Sequence, residues 1–111
     1  MKKFLILILG LTLCGCINTS DKENLKTLMK ENEYVIIDVR TEEEYLESHV
    51  SDAINIPYNK ISENVDIDKN TVIFVYCKSG ARSEVAFDAL ADLGYEVYNL
   101  GAFSEIDLPK E

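Results

Sequence analysis

One thiol and two cations stand within six residues of each other in Cys77-Lys78-Ser79-Gly80-Ala81-Arg82-Ser83. A cysteine attacks as its thiolate. Its ordinary pKa of about 8.5 falls when backbone N–H groups, a helix N-terminus or a cation face the sulfur. This segment supplies all three. Gly80 opens backbone angles closed to residues with a Cβ, so successive amides can converge on one anion. Lys78 and Arg82 put positive charge on the rim, and Ser79, Ala81 and Ser83 add further amides. A single cysteine after a strand is more often an inert buried thiol. The glycine, the two cations and the helix start set this one apart as a nucleophile in an anion cradle, open at the mouth of the domain.

The flanking elements are what must position it. Thr71–Tyr76 is a run of β-branched, aromatic and apolar residues, which predicts a strand buried on both faces as in a parallel sheet. After the loop, apolar residues at 85, 86, 89, 90 and 93 predict one helical face. That helix starts at Arg82 or Ser83 and stops at Gly94, a suitable C′ glycine. A strand end running into a helix N-terminus is where open α/β sheets bind ligands, with the positive end of the helix dipole facing them.

Upstream, Ser20 and Glu23 fit a capping box opening a helix over 21–31, with Leu25, Leu28 and Met29 on one face. Residues 33–39 read as a second buried strand. Thr41 and Glu44 form another capping box before a short helix over 42–48. A brief strand at 53–56 ends at Pro57. A crossover over 58–65 turns Ile61 and Val65 inward, and 66–70 make a polar turn. Residues 95–100 are the last strand. This alternation predicts an α/β domain with a parallel sheet and right-handed crossovers.

Asp38 ends its strand on the same sheet edge as Cys77, where an acid can hold loops by accepting N–H bonds. Arg40 and Glu44 are spaced to pair across the turn that follows. His49 is the one histidine in the chain. A thiolate already stabilised by backbone dipoles needs no base, so no catalytic role is assigned to it. One histidine and one free cysteine cannot fill a zinc site, so no metal is expected.

Residues 1–15 read as a lipoprotein signal peptide. Lys2-Lys3 give the positive start, Phe4–Leu13 an apolar stretch too short to span a bilayer, and Leu13-Cys14-Gly15-Cys16 a lipobox. Cys14 then leaves with the leader and Cys16 is lipidated. Cys77 is left as the free thiol, with no disulfide and no Cys-x-x-Cys redox pair. Residues 16–20 are a tether and 21–111 the domain. The protein is placed in the bacterial cell envelope, membrane-anchored through Cys16. A net charge of −9 repels nucleic acid and anionic head groups. Against it, Lys78 and Arg82 form a local positive spot.

The loop resembles the C-x-x-G-x-R-S active-site loop of rhodanese-domain sulfurtransferases. A second motif of that family stands upstream, as Asp38-Val39-Arg40, Glu44-Tyr45, His49-Val50, Ala53 and Asn55-Ile56-Pro57. The likeness covers about residues 33 to 109, in the layout of the small single-domain periplasmic thiosulfate sulfurtransferases. It implies a three-layer α/β domain with a central, mainly parallel sheet, no cofactor and a monomer. It further implies that Cys77 takes sulfane sulfur from a small anionic donor such as thiosulfate. A thiophilic acceptor, cyanide or a thiol, would then remove it. Lys78, Ser79, Gly80, Ala81, Arg82 and Ser83 would bind substrate, while Asp38, Arg40, Glu44 and His49 support the site.

The chain departs from the family at Ser48 and Asp52, where glycines are usual. It also departs at Gly101-Ala102, where Gly-Gly then Trp is common, and it has no Trp. Two other activities fit parts of the pattern. A non-catalytic sulfane-sulfur carrier would share the motifs. A Cys-x5-Arg phosphatase or arsenate reductase would need one more residue between Cys77 and Arg82.

Overall fold

Short runs of Val, Ile, Tyr and Phe pair side by side in the computed structural model, which describes residues 19–111 with side chains from Asn24 onward. The strands are β1 Tyr34–Asp38, β2 Ile54–Asn55, β3 Val72–Cys77 and β4 Val97–Ala102, all parallel in the order β2-β1-β3-β4. The helices are α1 Thr19–Glu31, α2 Glu42–Glu47, α3 Ile61–Asn64 and α4 Ala81–Asp92, with 3₁₀ turns at Tyr58–Lys60 and Phe103–Glu105. The leader, Cys14 and Cys16 lie outside the described residues.

The chain divides into two units after Glu31. In the first, α1 carries Leu25, Leu28 and Met29 on its less exposed face, as their spacing predicts. Ser20 is already helical, so it does not serve as the expected N-cap.

In the second unit every residue of β3 is buried, which is what a central parallel strand requires. Ile37, Ile73 and Val75 of the sheet meet Ile61, Ala86 and Leu90 of the helices in one core. Burying each of the Ile, Val and Leu side chains is worth about 1.5–3 kcal/mol. Val65 packs against this core, half-buried.

Two further expectations are corrected. On α4 the inward positions are Ser83, Ala86 and Leu90, with Phe87 half-buried, while Val85 and Leu93 remain 52% and 40% exposed. The helix is rotated because Ser83, a polar residue, takes an inward place beside Cys77. The last strand also starts and ends two residues later than the apolar run suggests. Tyr95 first closes the preceding turn, its N–H bonding Leu90 O at 3.2 Å and its hydroxyl Ile67 O at 2.7 Å. Farther on, β3 pairs Val75 with Asn99 but Tyr76 with Gly101, so Leu100 is an extra residue. Gly101, at φ +88°, absorbs that bulge and brings Ala102 opposite Cys77.

Candidate active site

Cys77 ends β3 at the sheet's carboxyl edge, and the chain turns at once into α4. The turn depends on Gly80, whose φ of +105° places it in the region that side chains avoid. That conformation aims the Gly80 N–H at Sγ, 2.9 Å away. α4 starts at Ala81, one residue before the expected start, with Gly80 at its N-cap position. The positive end of the helix dipole therefore faces the sulfur.

Ser83 reaches the same atom from the first turn of α4. The Cys77 thiol donates to Ser83 Oγ at 3.5 Å, and Ser83 donates in turn to Gly80 O at 3.0 Å. When the thiol ionises, the Ser83 hydroxyl can rotate to donate to sulfur. Gly80 O keeps a partner, because the Glu84 N–H bonds it at 3.2 Å. Burial pushes the Cys77 pKa up. The Ser83 hydroxyl and the amides of Ser83, Gly80 and Ser79 outweigh it, so the thiol titrates below its ordinary value.

Cys77 is 0% exposed, which corrects the picture of an open sulfur. The residue packs in the apolar core, and its sulfur is bonded by Gly80 and Ser83 of the loop and helix that follow. Lys78, Ser79 and Ala81 are exposed on the outer side of that loop and Gly80 and Arg82 are half-buried.

The expected Arg40–Glu44 pair does not form. Glu44 binds Arg82, with Nη1–Oε1 at 3.0 Å and Nη2–Oε2 at 3.3 Å. The Thr41 capping box is present as expected, and Oε1 also accepts the Thr41 N–H at 3.0 Å. The Arg82 hydrogen bonds and the Thr41 amide bring the Glu44 carboxyl down to about 2. Arg82 is raised by the same bond to Glu44 and by the charge of Cys77.

Arg40 turns instead to Asp38. Its Nε lies 3.0 Å from both carboxylate oxygens, its Nη2 2.6 Å from Oδ2, and its backbone N–H bonds Oδ1 at 2.9 Å. Arg40 also donates to Ser48 O, and its guanidinium covers the Phe103 ring at 4.4 Å. Asp38 accepts from Tyr76 OH at 2.8 Å, and that hydroxyl accepts the Val50 N–H at 3.0 Å. This buried net ties the loops after β1 and α2 to the residue preceding Cys77. Phe103 stacks on Tyr76 with ring centroids 5.7 Å apart, an aromatic wall near the place where the family often has Trp.

His49 packs flat on Tyr45, ring centroids 3.9 Å apart, and its Nδ1 lies 2.8 Å from Tyr45 O. Its backbone pairs with Glu111, N–H to O at 2.9 Å and O from N–H at 2.8 Å. None of these contacts involves Cys77. Sequence spacing shows no link between Glu44 and Arg82, 38 positions apart, and had no way to assign Tyr76 to the net behind the site.

The rhodanese-like domain family matches residues 21–107. The chain belongs to that family. It is 41% identical over 78 residues to the thiosulfate sulfurtransferase PspE of Escherichia coli K12, covering 67% of this chain and 75% of that one. It is 35% identical over 75 residues to the thiosulfate sulfurtransferase GlpE of Coxiella burnetii, covering 66% and 70%. Among solved structures it resembles a "rhodanese with anions from E. coli", with a TM-score of 0.67, 39% identity, and coverage of 70% of this chain and 96% of that one.

Within the rhodanese-like frame the two departures from glycine differ in consequence. Ser48 has φ −173°, extended backbone open to any residue. Asp52 sits at φ 71°, where glycine is favoured.

Proposed function

We propose that this protein is a thiosulfate sulfurtransferase working through a persulfide on Cys77. The observation that carries the reading is the Gly80 N–H at 2.9 Å from Sγ, within a loop that lowers the thiol pKa despite burial. The Cys77 thiolate attacks the outer sulfur of thiosulfate. A sulfur–sulfur bond forms on the enzyme as the donor's own sulfur–sulfur bond breaks, and sulfite leaves with the electron pair. The terminal persulfide sulfur then carries the negative charge. Amides of Ser79, Gly80 and Ser83 and the Ser83 hydroxyl hold that charge much as an oxyanion hole does. Cyanide or a thiolate attacks the outer sulfur, takes it, and restores the Cys77 thiolate. Two half-reactions through a covalent intermediate give ping-pong kinetics.

Cys77 is buried, so the donor approaches it from the side of the Lys78–Ala81 segment, whose Lys78, Ser79 and Ala81 are exposed. Lys78, exposed on that segment, is the first cation it meets. Asp38, Arg40 and His49 act as supports of the site. Steady-state turnover with thiosulfate and cyanide tests the assignment. Parallel initial-rate lines support it; stoichiometric sulfur uptake without turnover would make the protein a carrier.

The Lys2-Lys3 start, the apolar Phe4–Leu13 and the Leu13–Cys16 lipobox support export as a lipoprotein, anchored to the envelope membrane through Cys16. Palmitate labelling lost in Cys16→Ala checks the anchor, and retention of label in that variant contradicts it.

A further inference from the structure

Arg82 carries a full charge beside the loop, yet its guanidinium is spent on Glu44. Both nitrogens of its fork are bonded, at 3.0 and 3.3 Å, to the two oxygens of one carboxylate. Glu44 is itself fixed from behind. Its Oε1 accepts the Thr41 N–H at 3.0 Å and the Thr41 hydroxyl at 3.1 Å. The carboxylate is thus anchored on the N-terminus of α2 and extended to the loop. Each side chain of the pair is 27% exposed, so a dissolved anion can compete for the guanidinium. Arg82 also feels the charge of Cys77, so it lies within electrostatic reach of the reacting sulfur. Lys78, in contrast, is exposed and enters no ion pair with any described residue.

We propose that Glu44 is a positioning residue that limits the anion affinity of the site: by holding Arg82 it leaves Lys78 as the cation that meets the donor. This rests on the sulfurtransferase reading. A free guanidinium would grip thiosulfate and the departing sulfite alike through paired hydrogen bonds. Binding shared equally by substrate, transition state and product lowers KM without raising kcat, and it retains the product. Neutralising Arg82 while keeping it in place preserves its bracing of the loop and removes that trap. The low Glu44 pKa keeps the clamp ionised at neutral pH, so the limit is constant and does not act as a switch.

The test is thiosulfate kinetics and sulfite inhibition of the full chain and four variants, each checked for folding by circular dichroism. In Glu44→Gln the KM for thiosulfate and the sulfite inhibition constant fall together, roughly five- to tenfold for a freed charge-assisted contact, and kcat falls. Glu44→Gln with Arg82→Gln returns both constants toward wild type. Lys78→Ala raises KM roughly fivefold, while Arg82→Gln alone changes it less than about twofold. Unchanged KM and sulfite inhibition in Glu44→Gln would overturn the proposal, even if its melting temperature drops. So would an Arg82→Gln effect on KM equal to that of Lys78→Ala, and this comparison decides if Glu44→Gln does not fold. Persulfide formation on the wild-type protein is read in the same series. Its absence defeats the activity itself, whereas uptake with unmoved variant constants defeats the role of Glu44 alone.

Discussion

An arginine paired with a carboxylate follows each of two neighbouring parallel strands, and the two pairs differ in what surrounds them. After β1, Arg40 and Asp38 are 6% and 0% exposed; Tyr76 donates to Asp38 and in turn accepts the Val50 N–H, and Phe103 lies under the Arg40 guanidinium. After β3, Arg82 reaches Glu44 of α2 in a part-exposed pair beside the loop that bonds the Cys77 thiol. The first pair is sealed, because a charge taken out of water must have every lone pair and proton engaged. Among the described residues no buried polar side-chain atom lacks a partner. The second pair keeps contact with solvent and can exchange partners. One strand end is built to stay still, and its neighbour is built to admit a substrate.

The sharpest break in that contrast is Asp38→Ala, which leaves the Arg40 guanidinium buried and uncompensated. Its expected cost is about 3–5 kcal/mol by denaturant unfolding, whereas Glu44→Ala costs under about 1 kcal/mol. Equal costs would erase the distinction. Ser83→Ala comes next. It removes the largest of the contributions that lower the Cys77 pKa, so thiol titration followed by iodoacetamide alkylation shifts to higher pH. One hydrogen bond to a charged group accounts for roughly a tenfold slower alkylation at neutral pH. An unmoved midpoint would mean that the backbone amides suffice.

Acid provides a smaller effect. The Glu44 pKa is depressed to about 2 in the fold from its ordinary 4.5. Its stabilising contribution is therefore full above pH 4.5 and is lost as pH falls toward 2. Glu44→Gln flattens that part of the stability profile; a profile identical to wild type contradicts the assignment. Smallest is Asp52→Gly. It relieves a left-handed aspartate at φ 71° and is expected to raise stability by ~0.5–1 kcal/mol, read as a higher melting temperature. A lower melting temperature would show that the Asp52 side chain contributes more than its backbone costs.

Much of this is legible in the sequence. The buried run at 71–76, the glycine three residues after Cys77 and the Thr41–Glu44 capping box each depend on local chemistry, and each appears in the fold. What was not legible depends on strand register. Glu44 chooses Arg82 over Arg40 because α2 and α4 start on the same sheet edge, which no local spacing encodes. The buried face of α4 departs from the hydrophobic pattern because Ser83 takes an inward place to serve the thiol. The late end of β4 follows from one extra residue at Leu100, taken up at Gly101. The leader and the lipidation of Cys16 rest on sequence motifs and are tested by labelling.

The most direct test is the intact mass of the protein after treatment with thiosulfate and removal of excess reagent. The account predicts a gain of one sulfur atom on the wild-type chain, discharged by cyanide, and no gain on a folded Cys77→Ser variant. An unchanged wild-type mass, or sulfur taken up by Cys77→Ser, would contradict it.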